Sequence, residues 1–487
     1  MSGRSTSIVA CSGLEYKTAF GRETFVLVFM TLCRTLKGGW ILPHSVIIGL
    51  GQTGLSCARY LADQGVAFAV ADTRFRPPGL EQFEQAFPDT EIWLGPLDAG
   101  QLCEAQELVV SPGVAISEPA ICLAAEQGVS IVGDIELFAR AVSVPIIAIT
   151  GSNAKSTVTS LVAQMAERSG INVGMGGNIG VPALELLKDS PKDLYVLELS
   201  SFQLETTHSL KAQVACILNI SPDHMDRYPD VLEYTLAKQR VYAGCEYAVV
   251  NRSDEATLPV HGYKTGMVGF GTDQPESGEF GVVCHEGKEY LALGHERLIA
   301  VDDITLTGRH GQENALAALA IGQCAGFSFS AMLEALRSFQ GLAHRCQLAG
   351  SIDGVNYIND SKGTNVGATV AALNGLGPGC AGKLILIAGG DGKGADFGDL
   401  AEPVQSYCRE VVLLGRDGPQ IEAILPDGIA FSYAADMQDA VIKARAVAEP
   451  EDLVLLSPAC ASFDMFSGYA ARGDAFVSAV KELSLDC

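Results

Sequence analysis

Lys155, Ser156 and Thr157 close a short polar turn, GSNAKST, that follows the apolar, β-branched run from Val144 to Thr150. A strand that breaks into such a turn presents backbone N–H groups, and the helix after it aims a partly positive N-terminus at the same point, which is how phosphate is bound. In that setting Lys155 reaches the terminal phosphates of a nucleoside triphosphate and Ser156 ligates Mg²⁺, with Gly151, Ser152, Asn153, Ala154 and Thr157 completing the cradle. Ala154 stands where glycine usually precedes the lysine, and Ile149 where the first glycine of the standard spacing falls. Alanine is acceptable there if φ is negative, whereas a left-handed conformation costs roughly 1–2 kcal/mol. A Ser/Thr-capped helix start with no ligand is the alternative reading.

Further chemistry-bearing residues fall at later strand ends. DLYVLELSSFQLE places Glu198 at the end of an apolar strand, where a carboxylate beside a triphosphate completes the oxygen shell of a metal. ILNISPDHMDRY delivers Asp223, His224 and Asp226 in the same way; a lone histidine is more often structural, and the flanking acids favour a ligand. Lys238, on the helical stretch DVLEYTLAKQRVY, reads from spacing alone as a helix-surface cation. Two metal sites around one triphosphate suit phosphoryl transfer to an oxygen nucleophile. A second glycine-rich turn, GLGQTG at 49–54, with Asp72 ending the next strand, matches the dinucleotide fingerprint. By itself it fits a dinucleotide, another nucleotide-linked ligand, or a tight turn with no ligand. Arg74 pairs with a phosphate in the ligand readings and is solvated in the bland one.

The elements that position these residues repeat one alternation. In residues 45–142, SVIIGLG, VAFAVAD, ELVVSPG and SIVGD alternate with helical stretches, one of them from about Ser56 to Gln64, as in a parallel sheet with crossover helices. A central block, 143–342, adds DLYVLEL, VACILNI and YAVVN; its later pieces EYLALG and RLIAVDDITLTG predict an antiparallel addition. The third block, 343–487, repeats the alternation in VNYIND, KLILIAGG, EVVLLG and DLVLLSPA, each ending in small or polar residues where open α/β sheets collect ligand groups.

The chain's 487 residues, 48% hydrophobic with 53 glycines, suit about three glycine-turned α/β domains. A net charge of −24 repels a phosphate backbone and argues against nucleic acid as a partner. Fourteen cysteines are scattered singly, without a C-x-x-C pair, and read as small buried hydrophobes in a reducing cytoplasm. The apolar run Phe25 to Cys33 is too short to span a bilayer, so no membrane insertion is expected. Residues 1–44 read as a poorly ordered extension or a mis-assigned start, with initiation at Met30.

Taken in order, GSNAKST, GGNIGVPAL, LELSSFQLETT, DHMDRY, the His344–Arg345 pair, NDSKGTN, GGDGKGADF and LLSPACASFDMF resemble the motifs of the Mur ligases, from about residue 45 to the C-terminus. Within that family the resemblance is to members that join D-glutamate to UDP-N-acetylmuramoyl-L-alanine in peptidoglycan precursor synthesis. It implies a three-domain α/β protein: a Rossmann-like N-terminal domain, a central P-loop-type ATPase domain with a mixed sheet, and a Rossmann-like C-terminal domain. It assigns Thr53, Leu55, Asp72, Thr73, Arg74, Ser111, Asn178 and His224 to the UDP-substrate, and adds Asn314, Arg345 and Asp360 to the ATP site. Lys362, Thr364, Lys393, Ser462 and Phe463 match positions that grip D-glutamate, where lysines and a hydroxyl suit a dicarboxylate. Ser156 with Glu198 would hold one Mg²⁺, and His224 with Lys238, the lysine as its carbamate, a second. A cytoplasmic monomer is implied.

Three departures stand out beside Ala154: Gly311 where the family carries asparagine, and Phe463 and Tyr469 where it carries leucine and phenylalanine. The rival readings are a family member for another amino acid, against which LLSPACASFDMF argues; an NAD-dependent oxidoreductase, which leaves Lys155, Glu198 and His224 without a role; and a nucleotide-binding regulator without turnover.

Overall fold

The run Ser45–Ile48 is buried along its whole length and forms β1, as a central parallel strand covered on both faces must. A computed structural model describes residues 45–260, 266–306 and 308–485; the readings of residues 1–44 therefore lie outside the described residues. With β2 (Phe68–Asp72), β3 (Ile92–Leu94), β4 (Glu107–Val110) and β5 (Ser130–Val132), β1 makes a parallel sheet in the order β3-β2-β1-β4-β5. The order reverses beside β1, so the GLGQTG turn opens at the topological switch point. The helix after it runs Gln52–Asp63, starting four residues before the Ser56 expected from periodicity. Its first turn is built of the glycine-rich motif itself, which carries no apolar signal. β3 was not anticipated; it is a three-residue edge strand.

The second sheet has nine strands: β6 (Ile146–Thr150), β7 (Val173–Gly177), β8 (Leu194–Glu198), β9 (Val214–Ile217), β10 (Tyr247–Asn251), β11 (Gly266–Phe270), β12 (Phe280–His285), β13 (Lys288–Leu293) and β14 (Glu296–Ala300). Their order is β14-β13-β12-β11-β10-β9-β6-β8-β7, parallel from β7 through to β12 and antiparallel over β12–β13–β14. The sheet is thus mixed, as expected, although RLIAVDDITLTG is a strand only to Ala300 and continues into a 3₁₀ turn at Val301–Asp303. Val158, Leu161, Val162 and Met165 of the helix Lys155–Arg168 pack on Ile147 and Ile149 of β6, with Leu316 and Leu319 from the helix Gly308–Cys324. β6 is therefore clamped in the core, and the turn at its end inherits a fixed position.

The third sheet runs β15-β16-β20-β17-β18-β19, with β15 (Gln347–Ile352), β16 (Val355–Asn359), β17 (Leu384–Gly389), β18 (Cys408–Leu414), β19 (Ala430–Tyr433) and β20 (Leu453–Leu456). Only the β15–β16 pairing is antiparallel. The edge strands β15 and β19 were missed because both are largely exposed and lack a continuous apolar run. Cys216, Cys408 and Cys460 lie in the apolar cores, as their sequence neighbours indicated. Among the described residues no helix is long and apolar enough to cross a membrane.

Candidate active site

The turn after β6 is the centre of the site. Ala154 adopts φ 64°, ψ −4°, so the costlier of the two alternatives for this alanine holds: it occupies the left-handed region that favours glycine. The N–H groups of Ser152 and Asn153 are not free for a ligand. They donate to the carbonyl (2.9 Å) and side-chain Oδ1 (2.8 Å) of Asn219, beyond β9. The open donors are those of the first helical turn after Ala154, which have no intrahelical acceptor. Lys155 folds back, its Nζ donating to the carbonyls of Gly151 and Ser152, both at 2.8 Å.

Lys238 reaches the same place from the helix Val231–Gln239. Its Nζ donates to the Gly151 carbonyl at 2.9 Å and to Thr150 Oγ1 at 3.4 Å. The surface position that spacing suggested is wrong: Lys238 is 1% exposed, because its helix lies against the end of β6. Two amines thus share one carbonyl oxygen. Burial, and then the Lys155 charge, hold Lys238 well below its ordinary value; burial also lowers Lys155, against the pull of Glu198 and Asp223. Such an arrangement is relieved when an anion enters or when one amine is neutral.

Glu198 ends β8 next to β6. Its Oε1 accepts from Asn178 Nδ2 at 2.8 Å, while Oε2 is buried and has no hydrogen-bonding partner among the described residues. Burial works to raise this carboxyl, but the Lys155 charge and the Asn178 amide outweigh it and keep it below its usual range. An ionised carboxylate with an unused, buried oxygen fits a divalent cation. Among the described residues no group of three or more His, Cys, Asp or Glu converges as a self-sufficient metal site. That suits Mg²⁺, which keeps waters and takes phosphate oxygens besides one or two carboxylates.

His224 sits in the left-handed region at φ 59°, its Nε2 3.7 Å from Asp223 Oδ2 and its ring against Phe202. Burial brings its imidazole down to about 4, so it is neutral and able to ligate a metal at neutral pH. Asp223, read from the sequence only as an acid flanking His224, is a hub. It pairs with Lys393 and accepts from Asn365 Nδ2 at 3.0 Å, and Asn365 also donates to Asn153 Oδ1 at 3.2 Å. Both partners come from the third lobe, so the second and third lobes meet on the phosphate turn. Against the burial that would raise it, Lys393 and His224 bring Asp223 down to about 2.

Between these lobes lies a cavity of about 1090 Å³, lined by Ala154, Thr157, His310, Asn314, Arg345, Asp360 and Lys362 among others. Arg345 Nη2 donates to Ser156 Oγ at 3.3 Å, across the cleft. Asp360 accepts from Ser457 Oγ at 2.8 Å and is pushed up to about 6 by burial. Lys362 Nζ donates to Tyr469 Oη at 3.2 Å above that ring, and burial lowers it to about 8. Gly311 has a local reason in this chain: a Cβ there would lie 2.7 Å from the Leu306 backbone. Ser462 is buried behind the site, and Phe463, 75% exposed, lines neither cavity described here.

A second cavity, about 470 Å³, opens over the first turn and is lined by Thr53, Asp72, Thr73, Arg74 and Ser111, with Asn178 and Gln203 from the central lobe. Neither Leu55 nor His224 is among its lining residues. Leu55, 5% exposed, is a core residue beneath the turn. Both Asp72 oxygens are engaged: Oδ2 by Leu50 N (2.7 Å) and Arg74 Nη2 (2.7 Å), Oδ1 by Arg74 N and Nε (both 2.9 Å). An acid occupied in this way cannot grip ribose hydroxyls without releasing Arg74, which counts against the NAD reading; instead it aims a cation at the cavity, which suits the phosphates of a nucleotide-linked ligand.

Three α/β lobes, a lysine–serine turn at the end of a central strand and a cleft closed by a third lobe define a class of nucleotide-using enzymes. Domain-family models match in the same order: Mur ligase MurD-like N-terminal domain over residues 43–133, Mur ligase middle domain over 149–322, and Mur ligase glutamate ligase domain over 344–460. UDP-N-acetylmuramoylalanine–D-glutamate ligase of Pseudomonas fluorescens (strain Pf0-1) is 53% identical over 439 residues, 90% of this chain and 98% of that one. The enzyme of that name from Nitrosococcus oceani is 52% identical over 447 residues, 92% and 98% of the two chains. In fold, the chain is similar to UDP-N-acetylmuramate-alanine ligase from Thermotoga maritima, with a TM-score of 0.57 at 17% identity, covering 91% of this chain and 100% of that one. It is similar also to MurF ligase from the same organism, solved with ADP, with a TM-score of 0.57 at 16% identity over 91% and 95% of the two chains. The chain belongs to the Mur ligase family.

Proposed function

We propose that this protein is the ATP-dependent ligase that joins D-glutamate to UDP-N-acetylmuramoyl-L-alanine, making a peptidoglycan precursor in the cytoplasm. Beside the full-length similarity, the observation that carries the reading is the convergence of Lys155, Arg345 and Lys362 where two lobes meet, next to the ionised Glu198. Such a cluster of cations is built to hold a triphosphate and two carboxylate substrates.

A free carboxylate resists amines because its oxygen leaves poorly. The substrate carboxylate therefore attacks the γ-phosphate of ATP, forming an acyl phosphate and releasing ADP; the unprotonated amine of D-glutamate attacks the acyl carbon, and inorganic phosphate leaves as the amide forms. Lys155 and the N–H groups of the first helical turn would hold the phosphates and stabilise charge on the transferring group. Ser156 and Glu198 would hold one Mg²⁺, and His224 with the carbamate of Lys238 a second; bound there, the ions neutralise phosphate charge. Burial, which favours the neutral form of the Lys238 amine, supports the carbamate, because only a neutral amine adds CO₂. Asn178 and the Arg74 side of the smaller cavity would take the UDP-substrate, and Lys362, Thr364, Lys393, Ser462 and Phe463 the D-glutamate. Closure of the third lobe onto the phosphate turn would assemble the site and exclude water.

The test is phosphate release from ATP, Mg²⁺ and UDP-N-acetylmuramoyl-L-alanine, comparing D-glutamate with L-glutamate and other amino acids. Release that requires D-glutamate is expected. No release with any amino acid, from folded protein that binds ATP, would sink the reading.

A further inference from the structure

Arg472, on the helix Tyr469–Leu485, is the bulkiest of the fully buried side chains, at 1% exposure. Its guanidinium is satisfied by neutral oxygens and, among the described residues, by no carboxylate. Nε donates to Ser361 Oγ at 3.0 Å, Nη2 to the carbonyls of Ser361 (2.8 Å) and Cys460 (3.0 Å), and Nη1 to the Ala461 carbonyl at 3.3 Å. Ser361 precedes Lys362 in the loop after β16, and Ala461 precedes Ser462 in the loop after β20. Ala461 also exchanges two backbone hydrogen bonds with Asp391, 2.9 and 2.7 Å, which ties in the loop after β17 that carries Lys393. Packing at this junction is close: a Cβ on Gly390 would lie 2.2 Å from the Ala461 carbonyl and 3.3 Å from Arg472 Nη1.

Burying a guanidinium against neutral oxygens is costly, and an apolar side chain of similar volume would fill the space more cheaply. What an apolar residue cannot supply is a rigid fork that sets the spacing of two loops at once. We infer that Arg472 is a positioning residue for the amino-acid substrate: it holds the loops bearing Lys362, Lys393 and Ser462 in one register and places behind them a positive charge that no carboxylate of the described residues hydrogen-bonds, which favours a dicarboxylate. Burial lowers its guanidinium to about 10, so the charge persists at neutral pH. The inference rests on the proposed reaction, since those three loops are the ones assigned to D-glutamate.

Steady-state kinetics of the full chain carrying Arg472→Lys or Ser361→Ala, alongside thermal melts, test it. Arg472→Lys keeps the charge and loses the fork, and is expected to raise KM for D-glutamate by about tenfold or more, leaving KM for ATP and for the UDP-substrate within about twofold. Ser361→Ala removes the acceptor for Arg472 Nε together with the hydroxyl's own bond to the Tyr469 carbonyl (2.8 Å), and is expected to raise only the D-glutamate KM, by roughly two- to tenfold, the worth of one or two modest hydrogen bonds. An unchanged D-glutamate KM in a folded variant, or an equal rise in all three KM values as general loosening would give, overturns the inference. If Arg472→Lys does not fold, Ser361→Ala decides alone. Absence of D-glutamate-dependent turnover in the unaltered chain would overturn the functional reading, and this inference with it.

Discussion

The glycine-bearing turns after the central strands β1 and β6 need glycine for different reasons. After β1 the requirement is steric: a Cβ on Gly54 would lie 2.0 Å from the Gly49 carbonyl, where the helix start packs onto the strand end, and Gly49 itself has φ 97°. After β6 the requirement at residue 154 is conformational, and alanine meets it at φ 64° with a strain of roughly 1–2 kcal/mol. The two turns also differ in charge. Beside the first, Asp72 is saturated by Arg74 and Leu50, whereas at the second, Lys155 and Lys238 converge on one carbonyl oxygen. A glycine pattern therefore marks backbone geometry, and the neighbouring charges say what the turn is for.

The sharpest way to separate the turns is Lys155→Ala. It is expected to lower turnover by about 10²–10³-fold, the scale of removing one preorganised charge from a transferring group, with calorimetric affinity for the UDP-substrate within about twofold. Equal loss at both sites would break the distinction. Gly54→Ala should act in the opposite place: a loss of roughly 1–3 kcal/mol in denaturant unfolding, from overpacking, and weaker UDP-substrate binding, with ATP binding retained.

Next in size is the contact that ties the second turn to the third lobe. Asp223, ordinarily titrating near 3.8, is brought down to about 2 by Lys393 and His224 against the opposing effect of burial. A depressed carboxylate contributes stability that is fully present above the unfolded value and is lost as pH falls through the folded one. The stability difference between the unaltered chain and Asp223→Asn should thus be flat above about pH 4 and narrow between about pH 4 and pH 2; a difference that persists at pH 2 would contradict the ion pair. The smallest effect is expected from Ala154→Gly. Relief of left-handed strain, offset by the added backbone entropy of glycine, should leave a gain of at most about 1 kcal/mol, seen as a melting temperature higher by about 1–3 °C. A lower melting temperature would show that the strain is absorbed elsewhere.

The apolar strands and the polar residues at their ends were legible in the chain because both signals are local: a β-branched run and the turn that stops it lie within a dozen residues of each other. That is why β1, β6, β8 and β20, the GSNAKST turn and the strand-end position of Glu198 could be read directly, and why eight short motifs in register pointed to the family. Weak edge strands such as β3, β15 and β19 carry no such run and went unseen. Lys238 looked like a surface cation because helical spacing does not say which strand end a helix will cover; tertiary packing buried it on the Gly151 carbonyl. Asp223 and Lys393 are separated by 170 positions, as Asn153 and Asn365 are by 212, and no local period announces such pairs. The sign of φ at Ala154, the burial of Leu55 and the fork of Arg472 across two loops were likewise decided only in three dimensions. The sequence determined which segments become strands and which residues end them, since those depend on neighbours along the chain; which charges meet, and at what cost in burial, depended on how three separately wound sheets dock.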